Sequence, residues 1–179
     1  MDEAGRGPWA GPVVAAAVIL ERRRLPVRID DSKRLTPRGR ARAFEVIAAH
    51  AEIGVGILCA EEIDRRNILQ ATLLAMQEAV LDLSGPADLV LVDGPMAPPS
   101  SSPPWWPIVH GDQRSYVIAC ASIVAKVVRD RLMEFYHDLY PRYGFKQHKG
   151  YGTAAHAMCL ARFGPCVLHR QSFRPVAQA

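Results

Sequence analysis

Four acids in this chain stand at positions where an acid needs a reason. Asp2 and Glu3 come before a run of glycines and the first apolar segment, Asp93 closes the apolar run LVLV, and Asp130 lies within the longest helical pattern. In open α/β sheets, sites form beyond strand ends, and Asp93 occupies such an end; before Gly94 it also suits an ordinary turn. Asp130 shares a helical face with Lys126 and Ser122. Small neighbours (Ala119, Ala121, Ser122, Ala125) would let this helix press on a sheet and carry Asp130 toward the strand ends. An ion pair with Lys126 or Arg129 is its plainer role, worth under about 1 kcal/mol at a surface. Carboxylates gathered without histidine or cysteine suit hard cations, Mg²⁺ or Mn²⁺, better than zinc. Two such ions about 3.5–4 Å apart can hold the attacking water and the leaving oxygen of an in-line phosphoryl displacement.

Charge placement suggests what would be cut. The chain of 179 residues carries a formal net charge of +4, yet residues 139–179 hold six basic groups (Arg142, Lys146, Lys149, Arg162, Arg170, Arg174) and no Asp or Glu. This patch reads either as a solvated surface or as a footprint for phosphates, whose neutralisation releases counterions. The longest early apolar run, VVAAAVIL, is too short for a membrane span of roughly 20 residues. A secretory leader would place Asp2 and Glu3 where basic residues belong. Four cysteines without zinc-ligand spacing fit a reducing compartment, and a cytoplasmic location is expected.

The elements that must position these acids follow from periodicity. GPVVAAAVIL is predicted to be a buried strand. Thr36 and Pro37 start a helix through PRGRARAFEVIAAHA, with Phe44, Ile47 and Ala48 on one face. IGVGILCA (53–60) is a second strand whose glycines imply close backbone approach. One amphipathic helix is expected over EEIDRRNILQATLLAMQEAVLDL, and a strand over ADLVLVDG (87–94). A proline-rich surface loop covers 94–107, and IVHGDQRS leads from a short strand into the long helix SYVIACASIVAKVVRDRLMEFYHDLY, stopped by Pro141. The fold class is α/β, a mixed central sheet flanked by helices, with a small C-terminal helical appendage (141–179) on a catalytic unit (1–140).

In order and spacing, DEAGRGPWAGPVVAAAV, DDSKRLT, LVLVDG, GDQRSYVIACASIVAKVVRDRLM and HKGYGTAAH…FGP…HRQSF together resemble the ribonuclease HII family. The resemblance implies an RNase H-like fold and an endonuclease that cuts 5′ of a ribonucleotide in RNA/DNA hybrids or in duplex DNA containing ribonucleotides. It implies a metal site of Asp2, Glu3, Asp93 and Asp130 for two Mg²⁺ or Mn²⁺ ions, with Asp2 touching both. It also implies substrate contacts from Gly5, Arg6, Gly7, Lys33, Ser122, Lys149 and Tyr151. His148, His156 and His169 are expected to be structural or phosphate contacts rather than metal ligands. Physical reasons accompany these types: glycine lets main chain approach a 2′-hydroxyl, arginine grips phosphate bidentately, and tyrosine packs on a sugar. A monomer without membrane attachment is expected, and the ending SFRPVAQA is too short to decide on a sliding-clamp or polymerase partner. Members of that family carry several apolar residues before this opening, so the natural start is expected upstream of Met1. The rival readings are another RNase H-fold nuclease, such as a junction resolvase, and a nucleic-acid-binding protein with impaired catalysis.

Overall fold

The structure, a computed structural model, describes residues 1–20, 24–99 and 103–179. Strand β1 (Asp2–Ala4) pairs antiparallel with β2 (Val13–Leu20), Asp2 opposite Ala16, and β2 pairs antiparallel with β3 (Ala51–Leu58). A parallel pair, β4 (Val90–Asp93) and β5 (Trp105–Ile108), lies beside them. Met1 joins the two: its amine donates to the Leu91 carbonyl at 2.8 Å, and its own carbonyl accepts from the Asp93 N–H at 3.1 Å. The acids of β1 and β4 are thereby brought side by side, although 90 residues separate them. The expected proline-rich loop ends earlier than the sequence implied, because Trp105–Ile108 pairs with β4; its residues 100–102 lie outside the described residues.

Helix α1 (Pro37–His50) starts as expected, the Thr36 hydroxyl accepting from the Gly39 N–H at 3.1 Å. The single helix expected after β3 is two, α2 (Ala60–Arg66) and α3 (Ile68–Leu81). Asn67 divides them: at φ 72° it leaves the helical path, which asparagine tolerates better than most residues, and its side chain caps α3 at the Gln70 N–H. Gly54 and Gly56 of β3 do permit close approach, since a Cβ at either would strike the α3 backbone at Ala79 or Ala75. Short α4 (Gly111–Arg114) runs into α5 (Tyr116–Leu139), the 24-residue helix that lies across β1 and β2.

Two apolar layers enclose the sheet. Ile63, Ala71, Ala75 and Met76 close one face with Val13, Ala15 and Val92. On the other face, Ile47 of α1 and Ile123 and Val124 of α5 pack with Ala16 and Val18. Burying each large aliphatic here contributes about 1.5–3 kcal/mol. The C-terminal segment, a 3₁₀ turn (Pro141–Tyr143), α6 (Phe145–His148), α7 (Ala154–Phe163) and α8 (Arg174–Ala177), folds back on the start of the chain. Trp9 and Ala10 donate to the Gly150 carbonyl, and Ala10 bridges to His169. A groove of about 710 Å³ opens beyond Met1, lined by Ala17, Leu20, Val80, Leu89 and Leu91. It continues the line of β1 between β2 and β4.

Candidate active site

Strand pairing alone puts three of the expected acids together. Asp2 is buried at 5% exposure, its carboxylate accepting from the Glu3 N–H at 2.7 Å and reaching the Ser122 hydroxyl on α5. Burial first, then the charges of Glu3 and Asp93, push its carboxyl up to about 8. Glu3 is also raised, by burial above all, with Asp93 adding to it and Arg6 opposing it. Asp93 accepts from the Gly111 N–H at 2.6 Å, which ties the end of β4 to the start of α4.

Near these three stands Asp112, whereas Asp130 lies farther along α5. Asp112 follows Gly111 in the first turn of α4, and its carboxyl is raised by burial, then by Asp93 and Asp31. Asp130 pairs instead with Lys126 at 2.7 Å, and it is not among the charges acting most strongly on Asp2, Glu3 or Asp112. Helix geometry gives the reason. Ser122, which meets Asp2, lies eight residues before Asp130, so about 12 Å of helix separates them at ~1.5 Å per residue. A sequence signal for Asp112 existed: an acid in the first helical turn after a short strand, close behind Asp93.

Around the acids, the other expected residues divide. Arg6, half-exposed, bonds Glu3 at 3.3 Å, a contact weak enough to be exchanged for a phosphate. Lys33 is exposed, and its charge acts on both Glu3 and Asp112, so it stands at the rim. Ser122 bonds the Ser32 hydroxyl at 2.9 Å and orients Asp2 from behind rather than facing outward. Lys149 turns elsewhere: its ammonium binds Glu134 at 2.7 Å and the Lys146 carbonyl. Gly5, at φ 96°, leaves no room for a Cβ beside Arg129. Gly7 is exposed, and a Cβ on it would lie 4.0 Å from the Tyr151 ring.

Tyr151, 44% exposed, is held by a chain of neutral histidines. The Cys166 N–H donates to His169 Nδ1 at 3.0 Å, so His169 carries its proton on Nε2 and donates it to His156 Nε2 at 3.1 Å. His156 is left to donate Nδ1–H to the Tyr151 carbonyl at 3.0 Å. His148 stacks on His156, their ring centroids 4.3 Å apart. The ring nitrogens of His148, His156 and His169 thus all bond within the fold.

Oxygen donors alone, in excess of nearby cations and partly buried, fit a hard divalent ion. Among the described residues no three acidic, histidine or cysteine side chains stand close enough, as placed here, to hold a metal ion together. The ribonuclease HII family profile matches residues 1–176. The chain belongs to the ribonuclease HII family. It is 51% identical over its whole length to the ribonuclease HII of Chlamydia trachomatis, covering 82% of that protein. It is 54% identical to that of Rhizorhabdus wittichii, over 99% of this chain and 88% of the relative. Among solved structures, ribonuclease H2 from Pyrococcus horikoshii superposes with a TM-score of 0.82 at 25% identity, over 99% of this chain and 93% of the other. Ribonuclease HII in a PCNA complex from Archaeoglobus fulgidus gives 0.77 at 23%, over 96% and 92%. As a ribonuclease HII, the chain is an endonuclease of the ribonuclease H type. Among the described residues no helix is long and apolar enough to cross a membrane.

Proposed function

We propose that this chain hydrolyses the phosphodiester on the 5′ side of a ribonucleotide in RNA/DNA hybrids or ribonucleotide-containing duplex DNA, leaving 3′-hydroxyl and 5′-phosphate ends. The observation that carries this is the placement of Asp2, Glu3 and Asp93 on the adjoining strands β1 and β4, with Asp112 next to the Gly111 N–H that binds Asp93, beside the exposed Arg6-Gly7 turn. Asp2, Glu3, Asp93 and Asp112 are the residues that would hold two Mg²⁺ or Mn²⁺ ions. Bound there, such ions supply a water of lowered pKa and neutralise charge at the leaving 3′-oxygen.

The remaining roles belong to the chain itself. Ser122 fixes the Asp2 carboxylate, and the Gly111 N–H fixes that of Asp93. Arg6 exchanges Glu3 for a substrate phosphate, Lys33 adds positive charge at the rim, and Gly7 with Tyr151 forms a face for the sugar carrying the 2′-hydroxyl. The protein acts as a monomer on this substrate.

A paired-duplex assay tests the reading: one DNA duplex with a single ribonucleotide and one without, in Mg²⁺ and in Mn²⁺. Cutting confined to the ribonucleotide duplex, nearly abolished by Asp93→Asn while hybrid binding persists, is the expected result. Equal cutting of both duplexes points to a resolvase-like nuclease, and an active Asp93→Asn enzyme removes the metal-site assignment.

A further inference from the structure

Arg129 and Arg170 are buried to 1% and 0% exposure, and among the described residues neither has a carboxylate at ion-pair distance. A buried cation without a counter-ion is expensive, so its hydrogen bonds must be well made. Backbone carbonyls supply them. Arg170 donates Nη1–H to the Arg6 carbonyl at 2.9 Å, Nη2–H to those of Gly5 at 2.6 Å and Gly11 at 2.8 Å, and Nε–H to Gly11 at 3.0 Å. Arg129 donates to Pro12 at 2.9 Å, Ala10 at 3.2 Å and Lys149 at 3.0 Å.

Peptide planarity turns this clamp into a statement about the outer face. In a trans peptide the N–H points opposite to the C=O of the same unit. The carbonyls of Gly5 and Arg6 both point inward to Arg170, so the N–H groups of Arg6 and Gly7 both point outward. Both residues are exposed, and among the described residues neither N–H has an acceptor. Two adjacent donors therefore face solvent beside Tyr151. The ring of Tyr151 lies 5.9 Å from the Arg129 guanidinium, which ties the Lys149 carbonyl to those of Ala10 and Pro12, just after the turn.

We propose that Arg170 is a positioning residue, aiming the Arg6 and Gly7 amide donors at the sugar and phosphate oxygens of the ribonucleotide. Arg129 keeps Tyr151 in register with them. The inference deepens the ribonucleotide-cutting reading and rests on it. Lysine at position 170 retains length and charge but presents one ammonium in place of the planar fork, and it does not hold two neighbouring peptide planes.

The test compares Arg170→Lys and Arg170→Met with the unaltered protein on the two duplexes, measuring kcat, KM, and the affinity of each duplex in Ca²⁺. A merely structural role predicts that lysine restores folding and cleavage together. The positioning role predicts that Arg170→Lys folds, binds all-DNA duplex within threefold of the unaltered protein, and loses about 100-fold in kcat on the ribonucleotide duplex, the scale of a misplaced reacting group. Unchanged kcat overturns the inference, as does an equal loss of affinity for both duplexes. Should the unaltered protein cut both duplexes alike, the ribonucleotide reading itself fails, a separate outcome. A second measurement needs no variant: the ¹H–¹⁵N resonances of Arg6 and Gly7 shift on titration with the ribonucleotide duplex and less with all-DNA, and stationary resonances overturn the proposal.

Discussion

Replacing Asp112 and Asp130 separately by asparagine sorts the two acids by what each one holds. Asp130 is engaged by Lys126 at 2.7 Å, with side-chain exposures of 19% and 22% respectively. Such a pair four residues apart on a helix is worth about 0.3–0.5 kcal/mol, and less with lysine on the N-terminal side. Asp130→Asn is therefore expected to cost well under 1 kcal/mol in urea unfolding and to change kcat less than threefold. Asp112 stands against Asp93 in a setting that already disfavours its charge. Removing a partner that merely orients a metal ligand costs 10- to 100-fold, so losing a ligand itself should exceed about 100-fold in kcat. Asp112→Asn also relieves repulsion with Asp93, so without metal its unfolding midpoint stays level or rises. Single-turnover cleavage of the ribonucleotide duplex, beside urea unfolding in EDTA, reads both quantities. A 100-fold loss in Asp130→Asn with near-normal Asp112→Asn would refute the assignment and return the fourth ligand to α5.

Two further outcomes follow from buried groups and from the groove beyond Met1. Burial, with His156 adding to it, lowers His169 from 6.5 to about 4, whereas the unfolded chain keeps the ordinary value. The unfolded state thus binds more protons between those values. Stability is undiminished above pH 6.5 and falls by at most about 3 kcal/mol as pH drops toward 4. Urea midpoints from pH 7 to 4.5 should show this slope, and His169→Gln should show less of it; equal slopes would remove His169 as its source. Adding five or six apolar, β-forming residues before Met1 should fill the groove between β2 and β4. A net gain of about 2 kcal/mol, or roughly 4–8 °C in Tm, is expected from their burial and pairing, together with higher activity. An unchanged Tm and rate would show that the groove does not accept a strand.

Local chemistry made much of this protein legible in its sequence. The run VVAAAVIL read as a buried strand, Thr36-Pro37 fixed the start of α1, and Gly54 and Gly56 announced a close backbone approach, which α3 makes. Asp93 could be placed because it closes an apolar run, a strand end that the pattern reveals, whereas Asp2 and Glu3 were joined to it by the family resemblance. Tertiary structure decided the rest. Asp112 and Asp130 are both acids on helices, and only the three-dimensional packing of α4 and α5 on the sheet shows that one lies near Asp93 and the other about two helical turns beyond Asp2's neighbour Ser122. Lys149 and Arg170 both belong to the basic C-terminal segment, yet one is spent on Glu134 and the other lies buried under the Gly5–Gly7 turn. A sequence records which groups are available and their spacing along the chain. Which carbonyl a guanidinium meets 165 residues away depends on how strands and helices close around one core, and that is settled only when the whole chain packs.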